Sequence, residues 1–197
     1  MRKLLILVAL LTTTAKAAAE DVFNLGLLSE EAVRKEIHLE PADARRIEAI
    51  LTARGDTARD ALTALAEGKE PEFDQPTINA RARAQVRTLL TASQRKRLAE
   101  LTVQRGGLRL FLYPEFAAKF NLTPEQGELI AALYADANRQ PADPSGESTP
   151  AQTRAWNAQA ARVNAKADAE VWRLLTRKQK AKWKAMKGEP FDGKVAR

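Results

Sequence analysis

The chain contains one histidine, two methionines and no cysteine, so the side chains that bind transition metals or form covalent intermediates are almost missing. A transition-metal site needs several His, Cys or Met donors within reach of one another. Here His38 stands alone, and one of the two methionines is the initiator. No GxSxG elbow, phosphate-cradling glycine loop or HExxH pair is present. Carboxylates are frequent between Glu40 and Asp74, where acid–base chemistry would need them, but they interleave with Arg45, Arg46, Arg54 and Arg59. That pattern reads as the solvated face of a helix. The expectation is a protein that is not an enzyme and takes no metal or cofactor.

Binding of an anion is better supported. Between Arg81 and Arg109 lie Arg81, Arg83, Arg87, Arg95, Lys96, Arg97, Arg105 and Arg109 against one acid, Glu100. From Arg173 to Lys187 there are Arg173, Arg177, Lys178, Lys180, Lys182, Lys184 and Lys187 and no acid at all. Cations near a helix C-terminus gain about 0.3–1 kcal/mol each from the helix dipole, which accounts for some of them but does not require so many. The expected partner-binding residues are therefore Arg83, Arg87, Arg95, Lys96, Arg97, Arg109, Lys178, Lys180, Lys182 and Lys184. Phe111 and Tyr113 join them from the densest apolar run, Leu108 to Phe116, although this run also suits a plain core. Arg95, Lys96 and Arg97 are expected on the solvent side of the stripe through Leu98 and Leu101.

The elements that would carry these residues occur twice. Leu39-Glu40-Pro41 recurs 83 positions later as Leu122-Thr123-Pro124, and Leu90-Thr91-Ala92-Ser93-Gln94 recurs 85 positions later as Leu175-Thr176-Arg177-Lys178-Gln179. At the first offset Val33, Ile37, Ile47 and Ile50 fall on Phe116, Phe120, Ile130 and Leu133. At the second, Ile78, Ala82, Val86, Leu98 and Leu101 fall on Val163, Ala167, Val171, Trp183 and Met186. Apolar meets apolar throughout, as a shared buried face demands. The fold class this predicts is all-α, two tandem antiparallel helical hairpins related as a pseudo-twofold repeat. The first spans residues 20–107, with helices from Pro41 to Gly68 and from Ile78 to Gly106. The second spans 108–187, with helices from Pro124 to about Asn138 and from about Trp156 onwards, across a Pro/Ser/Gly-rich linker from Gln140 to Pro150. Residues 188–197 form a tail.

The compartment follows from the N-terminus. Arg2 and Lys3, the apolar run Leu4 to Leu11, and small-residue cleavage sites at Ala15-Lys16-Ala17 and Ala17-Ala18-Ala19 read as a cleavable signal peptide over residues 1–19. The run is far shorter than the ~20 residues of a membrane span. The protein is expected in the periplasm or beyond, with no transmembrane segment after cleavage. Loss of Arg2, Lys3 and Lys16 lowers the net charge from +7 to +4, still basic, while export argues against nucleic acid as the partner. Without disulfides the remaining length must be held by its core, and it is long enough to bury one.

The Leu-Thr-x-x-Gln motif has a mechanical role. Thr91, Thr123 and Thr176 can each cap a helix N-terminus while Gln94, Gln126 and Gln179 reach back to the cap residue's own N–H, forming a capping box worth about 0.5–2 kcal/mol. In the first copy the corresponding box is degraded to Glu40 and Asp43. His38 and Asn121 fall at equivalent positions ahead of these helices, where chains turn through a left-handed conformation. Repeated LTxxQ motifs at helix starts in an exported, cysteine-free helical chain resemble the Spy/CpxP-type LTxxQ family of periplasmic proteins. The resemblance covers most of the mature chain. It implies cradle-shaped helical dimers, so a homodimer is compatible, acting as ATP-independent chaperones or as inhibitors of envelope-stress sensors. The implied function is an exported, chaperone-like or envelope-stress protein that binds non-native or anionic clients. The alternative is a structural or regulatory module docking on one envelope partner such as a sensor ectodomain.

Overall fold

The computed structural model describes residues 22–69, 74–139, 149–191 and 193. The expected signal peptide (residues 1–19), all but the end of the expected Gln140–Pro150 linker and most of the expected tail beyond Phe191 lie outside the described residues. Among those described the protein is all-helical, with eight α-helices, two 3-10 helices and no strand. No helix there is long and apolar enough to cross a membrane.

The chain divides into two compact units, parting between Thr102 and Val103, within a helix. One unit runs from Phe23 to Thr102 and takes in residues from Glu189 onwards. It starts with a 3-10 helix over Leu25–Ser29, followed by α1 (Glu31–Glu36), α2 (Pro41–Ala66), α3 (Gln75–Leu89) and most of α4 (Ala92–Gly106). Its core gathers Leu28, Val33, Ile37, Ile47, Ala82, Val86, Leu90 and Leu98. The other unit, Val103–Gly188 with Val22, has a 3-10 helix over Gly107–Leu112, then α5 (Pro114–Lys119), α6 (Pro124–Asn138), α7 (Pro150–Leu174) and α8 (Arg177–Lys187). Its core gathers Phe111, Phe116, Phe120, Ile130, Tyr134, Ala167, Val171, Leu175 and Trp183. Val33 and Phe116, Ile37 and Phe120, Ile47 and Ile130, Ala82 and Ala167, Val86 and Val171, and Leu98 and Trp183 are each buried within their own unit.

Three expectations need correction. The stripe from Ile78 to Leu101 predicts one helix, yet the chain breaks into α3 and α4 at Leu90-Thr91, where Leu90 takes extended angles. Leu175 is extended likewise between α7 and α8. A buried leucine followed by a capping threonine ends one helix and starts the next without moving the apolar face out of phase. Secondly, the apolar stripe of the helix expected from Pro41 to Gly68 is not buried to its end, since Leu62 and Leu65 are 65% and 55% exposed. At ~1.5 Å per residue the fifteen residues of α3 flank only part of the 26 of α2. Thirdly, the 3-10 helices and the short α1 and α5 were not anticipated, being too brief to show a period.

The helix starts are tied together by glutamines. Complete capping boxes stand at Thr123/Gln126, Thr149/Gln152 and Thr176/Gln179, and Thr91 with Gln94 makes the same two bonds at 2.8 and 3.3 Å. Glu40 makes no side-chain cap, as its degraded box predicts. The Thr149 box was not foreseen because its Ser/Pro surroundings read as linker. α1 and α5 end through left-handed residues, His38 at φ 50° and Asn121 at φ 49°, and the next N–H in each case bonds back to Arg34 or Ala117, a Schellman closure. Gln94 Nε2 donates to the His38 carbonyl at 3.0 Å, and Gln179 Nε2 donates to that of Asn121 at 3.2 Å. Gln126 and Gln179 also donate to each other's Oε1 at 3.1 and 3.0 Å, and Gln126 Nε2 reaches the Leu174 carbonyl at 2.9 Å.

Gln179 is buried, so Gln179→Ala strands several of these groups and should cost about 1–3 kcal/mol in urea denaturation, the range for buried polar groups left unpaired. Gln94→Ala, at a more exposed site, should cost less.

Candidate anion-binding surface

The charged helices of the two units use their cations differently. In α4, Arg95 donates to the Leu90 carbonyl at 2.6 Å and to that of Arg87 at 3.4 Å, holding the last carbonyls of α3. Arg97 bonds Glu36 at 2.6 Å and Glu100 at 2.8 Å, and donates to the Glu189 carbonyl. Burial by itself lowers the pKa of Arg97, but the hydrogen bonds and charges of Glu100 and Glu36 outweigh it and the net direction is upward. The side chain of Arg97 is only 17% exposed. The expectation that Arg95, Lys96 and Arg97 all face solvent therefore fails for the two arginines. Lys96 alone is out in water, 82% exposed, with Glu100 3.9 Å away. Arg83 and Arg87, on α3, are half-buried.

Arg109 is half-buried as well. Its guanidinium donates to Asn138 and Asn164 and lies 4.7 Å from the centre of the Tyr134 ring. The Tyr134 hydroxyl donates to Asp168. Burial first, then the hydrogen bond and charge of Asp168, push its pKa above the ordinary phenol value, against the pull of Arg109. At the two sequence offsets these residues fall on Gly26, Gly55, Asn79, Leu51 and Arg83, so this cluster belongs to the second half of the sequence alone. It escaped sequence reasoning because its hydrogen-bonded partners are up to 55 positions apart. Phe111 is core, meeting the Phe120 ring edge-on at 5.0 Å and Trp183 at 5.1 Å. Tyr113 is 55% exposed.

The remaining expected residues all lie on α8, where the geometry is clearest. Gln179 and Trp183 face the core and Met186 is half-buried, a stripe at i, i+4 and i+7. Around it stand Arg177, Lys178, Lys180, Lys182, Lys184 and Lys187, with no acid in the helix. Lys180 packs its ammonium 5.6 Å from the Trp172 ring. Lys182 donates to the Lys119 carbonyl and lies 5.6 Å from the Phe120 ring. Arg177, Lys178, Lys184 and Lys187 are exposed. Among the described residues none of the six forms an ion pair. A helix with six cations, an anchored inner face and open water outside can attract and hold an anionic surface by Coulomb force alone.

No family model, curated protein or solved structure matches the chain.

Because Arg97 joins two carboxylates at low exposure and Lys96 does not, Arg97→Gln should lower the stability of the protein by about 1–3 kcal/mol. Lys96→Gln should stay within about 0.5 kcal/mol. Equal losses by chemical denaturation would contradict the assignment.

Proposed function

We propose that the chain is an exported helical binding protein, a periplasmic, ATP-independent holder of non-native anionic clients of the kind represented by LTxxQ-motif proteins, with α8 as its docking face. The supporting observation is the acid-free cationic face of α8, unneutralised by ion pairs among the described residues. Half-exposed Leu112 and Tyr113, in the same unit, offer apolar surface that a client's hydrophobic segments could share. The reading involves no chemical step. It treats the two units as tandem copies of one ancestral hairpin related by a pseudo-twofold, in which one copy keeps its cations for the fold and the other keeps them for a partner. This rests on the shared offsets, the matched left-handed residues and the matched glutamine bonds. The uneven use of charge also favours a second reading, docking of α8 on one specific acidic envelope protein.

Suppression of aggregation separates the two. Equimolar protein should slow the aggregation of several unrelated acidic unfolded clients at low ionic strength. The effect should fade as the Debye length falls from about 30 Å at 0.01 M salt to about 8 Å at 0.15 M. The triple variant Lys178→Gln/Lys184→Gln/Lys187→Gln should lose the activity while keeping its far-UV circular dichroism. No protection of any client would overturn the chaperone-like reading in favour of a single partner.

A further inference from the structure

The unit that carries α8 also contains a cleft of about 420 Å³. Its lining includes Leu108, Trp172 and Trp183 as apolar groups and Lys184, Lys187 and Asp168 as charged ones. Trp183 is buried and Trp172 half-buried, whereas both lysines are exposed. Its volume lies within the roughly 300–1,000 Å³ of small-molecule sites, which are mostly apolar with a few polar groups fixing orientation. The one acid of the lining, Asp168, accepts the Tyr134 hydroxyl bond.

The cleft is not explained by the fold. At the 85-residue offset Asp168, Trp172, Lys184 and Lys187 fall on Arg83, Arg87, Ala99 and Thr102. The other half of the sequence thus folds its helices with none of these residue types at the matched positions. Trp183 falls on Leu98, so there only an apolar side chain is needed. What is particular to this unit is a second indole lining the same cleft as the first, with two lysines in that lining. Indole faces offer flat, rigid apolar area, and lysine ammonium groups are point charges suited to a small anionic head.

We infer that this cleft binds a single-chain anionic amphiphile, a medium-chain fatty carboxylate, with the alkyl chain against Trp172 and Trp183 and the carboxylate at Lys184 and Lys187. The inference goes beyond the client-holding reading and does not depend on it.

The three tryptophans of the chain provide the test. Trp156 lies on α7 sixteen residues before Trp172, about 24 Å away along the helix, and serves as an internal control. The full chain is labelled with 15N, its indole N–H resonances are assigned through Trp→Phe variants, and decanoate is added below its micelle concentration. Saturable shifts of the Trp172 and Trp183 signals, with Trp156 unmoved, are the expected result. The Lys184→Gln/Lys187→Gln variant, at two exposed positions, should bind decanoate about tenfold more weakly, the loss of about one charge-assisted hydrogen bond. Neutral decanol should bind the unaltered protein similarly weakly. Absence of saturable shifts, equal movement of all three indoles, or unchanged affinity in the lysine variant would each overturn the proposal. Aggregation suppression can fail while these shifts persist, or persist while they fail, so the two ideas fall separately.

Discussion

The interaction on which the rest of the α8-bearing unit depends is the reciprocal amide pair between Gln126 and Gln179. Each glutamine already closes the capping box at the start of its own helix. By bonding to each other, and to the carbonyls of Leu174 and Asn121, they fasten the start of α6, the end of α7, the start of α8 and the left-handed exit of α5 at one point. Helix ends are where backbone groups lack partners, and here the ends of four helices satisfy one another with two side chains. In the other unit Gln94 keeps the bond to the left-handed residue. No second glutamine meets it, because Asp43 stands where Gln126 does and bonds Arg46 instead.

A second consequence concerns charge. A cation can serve the fold or a partner, and its environment decides which. Arg95 and Arg97 meet carbonyls and carboxylates supplied by α1, α3 and the segment after Gly188, so their charge is spent internally. The cations of α8 meet aromatic faces, water and, for Lys182, the Lys119 carbonyl, but no carboxylate among the described residues. Ring contacts orient an ammonium group without neutralising it, so the outer face of α8 keeps its field. Sequence composition alone makes the two basic stretches look alike, and only the neighbours distinguish them.

This also marks how far the sequence could be read. Pro124 to about Asn138 was legible, because a capping threonine, a first-turn proline and a clear apolar stripe coincide there. The left-handed turns at His38 and Asn121 were legible from their place ahead of a leucine and a helix start. The break at Leu90-Thr91 was not, since the apolar period stays in phase across it. The Thr149 box was hidden by a proline-rich context. On the candidate surface, Lys178 and Lys184 are exposed, whereas Arg97, expected on the solvent side, is held inward by Glu36, which lies 61 residues away. Long-range pairing of this kind leaves no local mark.

The central physical claim is that Gln126 and Gln179 act as one unit. A double-mutant cycle built from Gln126→Ala, Gln179→Ala and the double variant, followed by urea denaturation, measures this directly. A coupling energy of about 0.5–3 kcal/mol, as found for residues sharing one hydrogen-bond network, is the predicted result. Additive losses within about 0.3 kcal/mol would show that each glutamine caps its own helix alone, and would contradict the account.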